Sequence, residues 1–384
     1  MKKRKICVSV FSRANYARIK SVLASIKGHP DLELLLIVGG PALLWRFGDI
    51  RGVLKQDGFN TIDAEIYSIV EGENPITMTK SVGLGIIELA TTFASLEPDI
   101  VVTVADRFET MATAIAASYM NIPLAHTQGG EVTGSLDESV RHAITKLANY
   151  HFPATKLAKS NIIEMGENPE HVFLTGCPSI DLLDGKVLEL PANIFSQFGV
   201  PESILNTVDP FLLVLQHPVT TEHRDGLEQI NNTIEAVMAI DMPTVWIWPN
   251  ADAGSDNIAK GLRIGRESME NSKIWFFLNF TPEDYASLLA NTKCLIGNSS
   301  SGIREGAYLG TPVVNIGTRQ NKRERGLNVI DVPYETIAIE NGIRQQLAHG
   351  RYKPDHIFGD GIAGQRIGEI LATVDLNVNK SLSY

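Results

Sequence analysis

Residues 99–131, DIVVTVADRFETMATAIAASYMNIPLAHTQGGE, contain two short apolar runs separated by an alanine-rich segment. The runs, Asp99–Ala105 and Ile122–His126, have the length and composition of buried β-strands. The segment between them, Thr110–Tyr119, contains neither proline nor glycine and predicts a helix. Near-continuous apolar strands that alternate with helices are typical of a parallel sheet covered on both faces, so this stretch predicts an α/β fold.

The same alternation runs through the rest of the chain in two blocks. In the first block the further predicted strands are Arg4–Val10, Glu33–Val38 and Ala64–Val70, with a helix predicted over Ala17–Lys27. In the second block the predicted strands are Pro210–Gln216, Thr244–Trp248, Lys273–Phe277, Lys293–Ile296 and Val313–Ile316. The stretch Asp181–Asp209 carries Pro191, Gly199 and Pro201, which favour loops, and connects the two blocks.

We therefore predict two doubly wound, Rossmann-like α/β domains over residues 1–180 and 181–360. The last segment, residues 361–384, contains a predicted helix over Gly361–Thr373 that packs back on one of the two domains. Two such domains place a cleft between them. Because ligands of open parallel sheets bind at the carboxyl ends of the strands, the residues that follow the predicted strands are the candidate site residues.

Composition excludes several classes of protein. The 384 residues include 34 Lys and Arg against 44 Asp and Glu, and the net charge of −10 argues against non-specific nucleic-acid binding. The cysteines, Cys7, Cys177 and Cys294, are too few and too far apart for a disulfide framework or a zinc site. The apolar run Ile6–Phe11 is too short for a signal peptide, and no run approaches the roughly 18 apolar residues of a membrane helix. We expect a soluble, cytoplasmic protein that does not bind membranes.

Arg13 and Asp106 each follow a predicted strand of the first block. An arginine at a strand end can bind a phosphate through two parallel N–H groups, and a solvated surface arginine is the alternative. No GxGxxG motif accompanies it, which argues against an ordinary dinucleotide-binding domain. Asp106, with its neighbour Arg107, is either a site carboxylate or the N-cap of the next helix.

The next strand leads into residues 126–131, HTQGGE, in which two adjacent glycines let the backbone approach a ligand closely. Asp106, Glu131 and Asp137 can then converge on one pocket. Burial and mutual repulsion raise the pKa of some carboxyl groups in such a pocket, which suits them to proton transfer. The alternative is that Asp137, Glu138 and Arg141 form surface pairs, three and four residues apart, on a helix.

In the second block, residues 297–306, GNSSSGIREG, follow a strand and open a helix. Backbone N–H groups and serine hydroxyls at such a point form an anion site, and Glu305 one turn later is placed for ribose hydroxyls; a serine-capped turn is the alternative. His217 ends another strand and is either a site residue or a structural histidine. Asn250 lies in the polar loop after a third strand, and Arg319 opens a basic cluster.

Together these motifs resemble the hydrolysing branch of the UDP-N-acetylglucosamine 2-epimerase family over essentially the whole chain. The motifs are SRANY (12–16), ADRFE (105–109), HTQGGEVTGSLDESVRHAITK (126–146), GCPSID (176–181), LQHPVTTE (215–222), PNADAGS (249–255), GNSSSGIREG (297–306) and GTPVVNIGTRQ (310–320). The resemblance implies the two-domain GT-B fold, a UDP-sugar substrate, no metal or redox cofactor, and a homodimer or homotetramer. It also implies that UDP-GlcNAc and water give UDP and N-acetylmannosamine, the reaction that opens sialic acid synthesis. UDP is lost from C1 and the proton from C2, and water then adds with inversion at C2.

The resemblance and the carboxylate pattern together assign a role to each candidate site residue. The predicted catalytic residues are Asp106, Glu131, Asp137, Gln128 and Asp181. The predicted substrate-binding or UDP-binding residues are Arg13, Asn15, Arg107, His217, Asn250, Ser299, Ser300, Glu305 and Arg319.

Two of these positions depart from the pattern that the chain resembles. The hydrolysing branch usually has Asp where this chain has Asn15 and Glu where it has Gln128, and a glutamine cannot act as a general base. We interpret the two amides as sugar contacts of a subgroup that acts on a modified sugar, such as a UDP-linked 2-acetamido sugar with a further 4-acetamido group, as in legionaminic acid synthesis. A site altered to trap substrate would also explain the amides, as would a UDP-sugar-binding protein with little turnover. A non-hydrolysing 2-epimerase and a GT-B glycosyltransferase are the competing enzyme functions.

Overall fold

A computed structural model describes residues 2–45, 49–72, 74–134, 136–185, 188–200, 209–222, 225–249, 255–268 and 273–383. The chain forms two compact units. Unit 1 contains Met1–Val132, Leu136–Asp184 and Phe358–Tyr384, and unit 2 contains Thr133–Ser135 and Gly185–Ile357. The polypeptide therefore completes unit 2 and returns to unit 1 for its last 27 residues, counted from Phe358 to Tyr384.

Unit 1 is built around a parallel sheet. Its strands are β1 (Arg4–Val10), β2 (Leu32–Gly39), β3 (Ala64–Ile66), β4 (Ile100–Val104), β5 (Leu124–Thr127) and β6 (Tyr150–Phe152). Its helices are α1 (Arg13–Ala17), α2 (Lys20–Gly28), α3 (Arg51–Gln56), α4 (Pro75–Leu96), α5 (Phe108–Tyr119), α6 (Leu136–Leu147), α7 (Lys156–Glu164) and α14 (Ala363–Thr373). The strand order is β3-β2-β1-β4-β5-β6, which is the doubly wound order. The order reverses between β1 and β4, so the carboxyl ends of these strands flank the crevice in which such sheets bind ligands.

Both faces of this sheet are buried, because successive side chains of a strand point in opposite directions. On β1, Ile6 and Val8 join an apolar cluster with residues of α2 and α14, whereas Cys7 joins the cluster formed with α4 and α5. Each fully buried aliphatic side chain contributes about 1.5–3 kcal/mol. Burial on both faces explains why the strands are apolar throughout, and the predicted α/β fold class is confirmed for this unit.

Helix α14 lies close against α2. A Cβ atom on Gly364 would lie 2.6 Å from the backbone carbon of Ser21, and one on Gly368 would lie 2.2 Å from Oγ of Ser25. Only glycine permits this approach, so the returning segment forms part of the core of unit 1. Its Ile367 is fully buried there.

The buried carboxylate of Glu167 connects the residues that follow α14 to α6. Glu167, whose side chain is 2% exposed, contacts Nζ of Lys146 at 2.6 Å, Nε2 of His151 at 3.1 Å and Nζ of Lys380 at 2.5 Å. Lys380 also donates hydrogen bonds to the carbonyl oxygens of Lys146, at 2.9 Å, and Ala148, at 2.6 Å, at the C-terminal end of α6. A cation at this end of a helix is favourable, so the cluster stabilises α6.

We expect Glu167→Gln to destabilise the chain at neutral pH by about 3 kcal/mol. Burial alone raises the pKa of Glu167, but hydrogen bonds from His151, Lys146 and Lys380 outweigh burial and lower it to about 2. A glutamate in an unfolded chain titrates near pH ~4.3, so this stabilisation is complete above that pH and is lost as the pH falls towards 2. Denaturant unfolding at several pH values measures it.

The expected difference between wild type and Glu167→Gln is largest at pH 7 and shrinks below about pH 4.3. Glu164→Gln, on the exposed face of α7, is the matched control and should change stability by less than about 0.5 kcal/mol. A difference that stays constant from pH 7 to pH 3 would mean that the Glu167 charge is not what stabilises this cluster.

Unit 2 repeats the architecture. Its strands are β7 (Leu212–Leu215), β8 (Thr244–Ile247), β9 (Ile274–Phe277), β10 (Cys294–Gly297), β11 (Val313–Ile316) and β12 (Val329–Val332). Its helices are α8 (Gly226–Ile240), α9 (Ser255–Ser268), α10 (Pro282–Asn291), α11 (Ser300–Ile303), α12 (Glu305–Leu309) and α13 (Thr336–His349). The parallel strand order is β12-β11-β10-β7-β8-β9, and apolar clusters cover both faces of the sheet. The fold class is therefore confirmed for unit 2 as well.

Some predicted elements differ from those observed. The strand predicted over Ala64–Val70 ends at Ile66, because Ile66 pairs with Gly39, the last residue of β2, and the chain beyond has no neighbouring strand to pair with. The helix predicted over Ala17–Lys27 is divided, since Ile19 leaves the helical conformation with φ −129°. Within the described ranges, no helix is both long and apolar enough to cross a membrane.

Candidate active site

Two non-glycine residues at neighbouring strand ends of unit 1 have left-handed backbones. Ala105, directly after β4, has φ +58°, and Gln128, directly after β5, has φ +59°. The backbone N–H of Ala105 donates to the carbonyl of Thr127 at 3.0 Å, and that of Gln128 donates to Phe152 at 2.9 Å. Such conformations cost of order 1–3 kcal/mol each and cluster where a site needs a particular side-chain direction. They mark the ends of β4 and β5 as a candidate site.

Asp106, Glu131 and Arg141 form what we call the strand-end cluster. Nη2 of Arg141 donates to the carboxylate of Asp106, and Nη1 donates to the carbonyl oxygen of Glu131 at 2.6 Å. The Arg141 side chain is fully buried, and Asp106 and Glu131 are buried as well. Arg18, the C-cap residue of α1, approaches the same Asp106 carboxylate at 3.9 Å. One guanidinium thus binds the carboxylate of Asp106, after β4, and the backbone of Glu131, after β5.

Asp137 lies one helical turn before Arg141 on α6 and is half-buried. Burial alone would lower the pKa of the Arg141 guanidinium, but the charges of Asp106, Glu131 and Asp137 outweigh it and raise the pKa. The surface-pair interpretation is therefore wrong for Arg141. Arg141 was not predicted as a site residue. The only indication in the sequence was its position four residues after Asp137, which places the two side chains on the same face of a helix.

Asp106 is not the N-cap of the following helix. Helix α5 begins at Phe108, and its N-cap is Arg107, which makes no side-chain capping bond. The Arg107 guanidinium instead donates two hydrogen bonds to the buried carboxylate of Glu109, at 3.1 and 3.0 Å. The N-cap alternative for Asp106 is therefore wrong, and Arg107 is held in place by its own neighbour.

His126 connects the strand-end cluster to α6. Its Nε2 hydrogen-bonds to the carbonyl oxygen of Ala105 at 2.7 Å and therefore carries the proton, while Nδ1 accepts from the hydroxyl of Thr145 at 3.2 Å. Burial lowers the pKa of His126 to about 3, so the ring is neutral. A Cβ on Gly129 would lie 2.9 Å from Oγ1 of Thr145, so glycine is needed for this packing. His126 fixes the peptide that precedes Asp106.

Asn15 and Gln128 are deeply buried amides. Asn15 lies on α1, whose N-cap Ser12 accepts a hydrogen bond from the Asn15 backbone N–H at 3.1 Å. Within the described residues, the side-chain oxygen and nitrogen of Asn15 and of Gln128 make no hydrogen bond. Arg13 opens the same helix, and burial lowers the pKa of its guanidinium while Asp49 opposes that change.

Asp181 binds a helix end rather than the strand-end cluster. Its carboxylate oxygens accept hydrogen bonds from the backbone N–H groups of Ala363, at 3.0 Å, and Gly364, at 2.6 Å. These groups open α14, whose own N-cap residue, Ile362, makes no side-chain capping bond. Burial raises the pKa of Asp181. The contacts described for Asp181 therefore stabilise α14, and its catalytic role remains a prediction.

In unit 2, the ends of β7 and β10 are joined by a pair of side-chain to backbone hydrogen bonds. Oδ1 of Asn298 accepts from the backbone N–H of His217 at 2.7 Å, and its Nδ2 donates to the carbonyl of His217 at 2.8 Å. Gly297 has φ +131°, and a Cβ there would lie 2.1 Å from the carbonyl oxygen of Leu215. This close backbone approach requires glycine and places His217 and residues 298–300 side by side.

The serines that follow β10 are held by a chain of hydroxyl groups. Ser299 is the N-cap of α11 and accepts from the backbone N–H of Ser301 at 3.3 Å. Oγ of Ser301 lies 2.8 Å from Oγ of Ser299 and 2.5 Å from the hydroxyl of Tyr285. Ser300 is buried beside them. Ser299 is therefore a capping residue, as the alternative interpretation predicted. The turn also fixes the orientation of the Ser299 and Ser301 hydroxyl groups.

Two further predicted residues lie near this turn in the chain or in space. Nη1 of Arg319 donates to the carbonyl oxygen of Asn298 at 3.2 Å. Glu305 opens α12, and its Oε2 makes no hydrogen bond to any described residue. Asn250 lies outside the described residues. Among the residues that the structure describes, no group of three or more His, Cys, Asp or Glu side chains is arranged to hold a metal ion.

Comparison with known proteins identifies the family. The sequence pattern of the UDP-N-acetylglucosamine 2-epimerase family matches residues 24–372. The chain belongs to this family. The resemblance seen in the sequence motifs is thus confirmed, and the strand-end cluster and the serine-containing turn after β10 belong to a member of this family.

Two relatives from this 2-epimerase family cover nearly the whole chain. The UDP-N,N'-diacetylbacillosamine 2-epimerase (hydrolyzing) of Legionella pneumophila is 33% identical over 387 aligned positions, covering 99% of this chain and 100% of the relative. The UDP-N-acetylglucosamine 2-epimerase of Neisseria meningitidis is 29% identical, covering 96% of this chain and 95% of the relative. The chain is thus similar to 2-epimerases that are named for different sugars.

The fold is also that of a solved 2-epimerase. The UDP-GlcNAc 2-epimerase of Methanocaldococcus jannaschii, in complex with UDP-GlcNAc and UDP, superposes with a TM-score of 0.81. The alignment covers 96% of this chain and 99% of that chain at 20% sequence identity. This likeness confirms the GT-B-like α/β fold class that the resemblance implied.

Proposed function

We propose that the chain is a hydrolysing 2-epimerase of a UDP-linked 2-acetamido sugar. In this reaction the C2–H and C1–O bonds break, UDP departs, and an unsaturated sugar with a C1–C2 double bond remains. Water then adds its oxygen to C1 and a proton to C2 on the opposite face, so the products are UDP and the free sugar inverted at C2. The observation that carries the proposal is the strand-end cluster, in which one buried arginine binds the Asp106 carboxylate and the backbone carbonyl of Glu131.

The chemistry requires the groups that this cluster holds. The C2 proton has no adjacent carbonyl to acidify it, so a positioned base must act as the leaving group departs. Asp106, Glu131 and Asp137 are the acidic residues available, and the charge of Arg141 adjoins all three. We assign the proton transfers to these carboxylates. A fixed arginine also needs no reorganisation as charge moves during the reaction, which lowers the barrier.

Unit 2 supplies most of the proposed nucleotide contacts. His217, Ser299 and Ser300 are fixed beside the glycine turn after β10. Oε2 of Glu305 makes no hydrogen bond to a described residue and is suited to accept one from a ribose hydroxyl. Positive charge stabilises the departing diphosphate. The residues proposed for this role are Arg13, Arg107 and Arg319, and Asn250 is proposed as a further nucleotide contact.

Several companion proposals follow from this function. The relative from Legionella pneumophila, named as hydrolyzing, supports the hydrolysing branch. The three cysteines are buried and distant in sequence, which fits a reducing, cytoplasmic location. We further propose that the enzyme is a homodimer or homotetramer that needs no metal or redox cofactor, and that it serves the synthesis of a sialic-acid-like sugar. Residues 1–180 provide the sugar side and residues 181–360 the UDP side in this proposal.

The test is to incubate the purified chain with a UDP-2-acetamido sugar and to quantify nucleotide and sugar products by phosphorus NMR and chromatography. We expect UDP and free 2-epimeric sugar in equal amounts. A UDP-linked 2-epimer would instead identify a non-hydrolysing enzyme. Release of UDP only when a sugar acceptor is added would identify a glycosyltransferase, and tight UDP binding without any product would identify a binding protein.

A further inference from the structure

A line of three hydroxyl groups runs from α10 to the turn after β10 in unit 2. The ring of Tyr285, on α10, packs against one of the apolar clusters that cover the sheet. Its hydroxyl oxygen lies 2.5 Å from Oγ of Ser301, and Oγ of Ser301 lies 2.8 Å from Oγ of Ser299. We call these three residues the hydroxyl relay. Of the three, only Ser299 has a role in the proposed function.

The hydrogen-bonding capacity of Ser299 is limited by its neighbours. A serine hydroxyl has one O–H donor and two acceptor lone pairs. As the N-cap of α11, Oγ of Ser299 already accepts from the backbone N–H of Ser301 at 3.3 Å. If the Ser301 hydroxyl also donates to Ser299, both lone pairs are occupied and Ser299 is left only as a donor. If the relay runs the other way, Ser299 uses its single proton within the protein. The direction of the relay therefore decides which ligand atoms Ser299 can bind.

The phenol of Tyr285 sets this direction. A tyrosine hydroxyl titrates near pH ~10 and is a far stronger acid than a serine hydroxyl, so it is the better donor and the poorer acceptor of the two. Burial raises the pKa of Tyr285, so the phenol keeps its proton at neutral pH. Tyr285 therefore donates to Ser301, and Ser301 donates its own proton to Ser299. The proton of Ser299 then points out of the relay.

A hydroxyl that only donates matches a ligand oxygen that only accepts. The charged oxygens of a phosphate are such acceptors, whereas a ribose or sugar hydroxyl carries a proton of its own. Hydrogen bonds to a charged acceptor are roughly twice as strong as those between neutral groups. Hydrogen bonds in a chain also polarise one another and strengthen each other by about 10–30%. The relay thus makes Ser299 a stronger donor to an anionic oxygen than an isolated serine is.

We propose that Tyr285 and Ser301 are positioning residues, which hold the proton of Ser299 outward so that it is donated to a phosphate oxygen of the bound nucleotide diphosphate. This inference rests on the proposed function, in which Ser299 contacts the nucleotide, and deepens it by assigning that contact to the diphosphate and by adding two residues that act through it. The bond strengthens as UDP departs, because negative charge then increases on the diphosphate.

The first experiment removes one oxygen atom from the relay. Tyr285→Phe deletes the phenol hydroxyl and keeps the ring that packs in the apolar cluster. The Kd values of UDP and of uridine are measured by calorimetry and by NMR titration. We expect the Kd of UDP to rise about five- to tenfold, and that of uridine, which has no phosphate, to stay within about twofold. Tyr119→Phe, at a residue that is 85% exposed, is the matched control and should change neither value.

An equal rise in both Kd values would mean that Tyr285 only maintains the local structure, and it would overturn the inference. A UDP affinity that is unchanged in Tyr285→Phe would overturn it as well.

The second experiment tests whether Tyr285 acts through Ser299. The Kd of UDP is compared in wild type, Tyr285→Phe, Ser299→Ala and the double variant. Ser299→Ala alone is expected to raise the Kd about 10- to 50-fold, because the donor itself is lost. In that background Tyr285→Phe should change the Kd by less than about twofold, since no Ser299 proton remains to be directed. A further rise of about fivefold or more would show that Tyr285 acts by another route, and would overturn the inference.

Ser301→Ala interrupts the relay at its middle and is the deciding variant if thermal unfolding shows that Tyr285→Phe does not fold. We expect it to raise the Kd of UDP at least about fivefold and to leave that of uridine unchanged; an unchanged Kd of UDP would overturn the inference. Variants that bind UDP as wild type does, in an enzyme that releases UDP from a UDP-sugar, would overturn this inference alone. A wild-type protein that does not bind UDP would overturn the proposed function as well.

Discussion

Replacing Arg141 with lysine is expected to lower kcat about 1,000-fold. Arginine uses two different nitrogens to bind the Asp106 carboxylate and the carbonyl of Glu131 at the same time. A lysine keeps the positive charge but is a single-point donor, and it cannot reproduce this planar arrangement. Asp106 and Glu131 then lose their relative orientation, and the proton transfers proposed for them slow.

The measurement is steady-state kinetics with the UDP-sugar that wild type turns over fastest, together with UDP affinity and the free energy of unfolding. We expect the UDP affinity of Arg141→Lys to stay within about threefold of wild type, because Arg141 is not among the residues proposed to contact the nucleotide. The matched control is Arg344→Lys, which alters an exposed pair between Arg344 and Glu340 on α13. That control should change neither kcat nor stability appreciably. Wild-type kcat in a folded Arg141→Lys enzyme would contradict the role given to the strand-end cluster.

Replacing His126 with phenylalanine is expected to lower kcat about 100-fold, whereas His126→Gln should remain within about tenfold of wild type. Phenylalanine leaves the carbonyl of Ala105 and the hydroxyl of Thr145 unpaired in a fully buried position. A glutamine can donate to the first and accept from the second, as the neutral imidazole does. The peptide that precedes Asp106 then keeps its left-handed conformation.

This pair of variants distinguishes a positioning residue from a general base. Burial lowers the pKa of His126 to about 3, so its ring does not titrate between pH 5 and 9, and the pH profile of kcat in that interval should have the same shape in His126→Gln as in wild type. His142→Gln, on the partly exposed face of α6, is the control. If His126→Gln were as inactive as His126→Phe and lost the acidic limb of the pH profile, His126 would be a proton carrier.

The sheet-forming runs are the part of the fold that sequence predicts best. The strands predicted over Asp99–Ala105 and Ile122–His126 lie within two residues of β4 and β5, because strands buried on both faces are apolar throughout. The edge strands β6 and β12 were not predicted. They are three and four residues long and contain the polar residues His151 and Asp331, so their pairing depends on the neighbouring strand rather than on their own sequence.

The residues of the candidate site could also be predicted only where local sequence determines their position. Asp106 and Glu131 could be chosen because each follows a recognisable strand. The burial of Arg141 could not be predicted, because an acidic residue four positions before an arginine is equally typical of an exposed helix face. The contact of Asp181 with Ala363 joins residues 182 positions apart, and such a contact is set by the packing of α14 and not by local sequence. The left-handed backbone of Ala105 could not be predicted either, because that conformation is expected of glycine and not of alanine.

The central claim is that the enzyme breaks the C2–H bond as UDP departs and returns a solvent proton to C2. Proton NMR of the reaction in D₂O, with a UDP-2,4-diacetamido sugar and with UDP-GlcNAc, tests this directly. The account predicts that UDP accumulates together with a free 2-epimeric sugar that carries one deuterium at C2. A product that retains the C2 proton of the substrate, or a 2-epimer that remains linked to UDP, would contradict it.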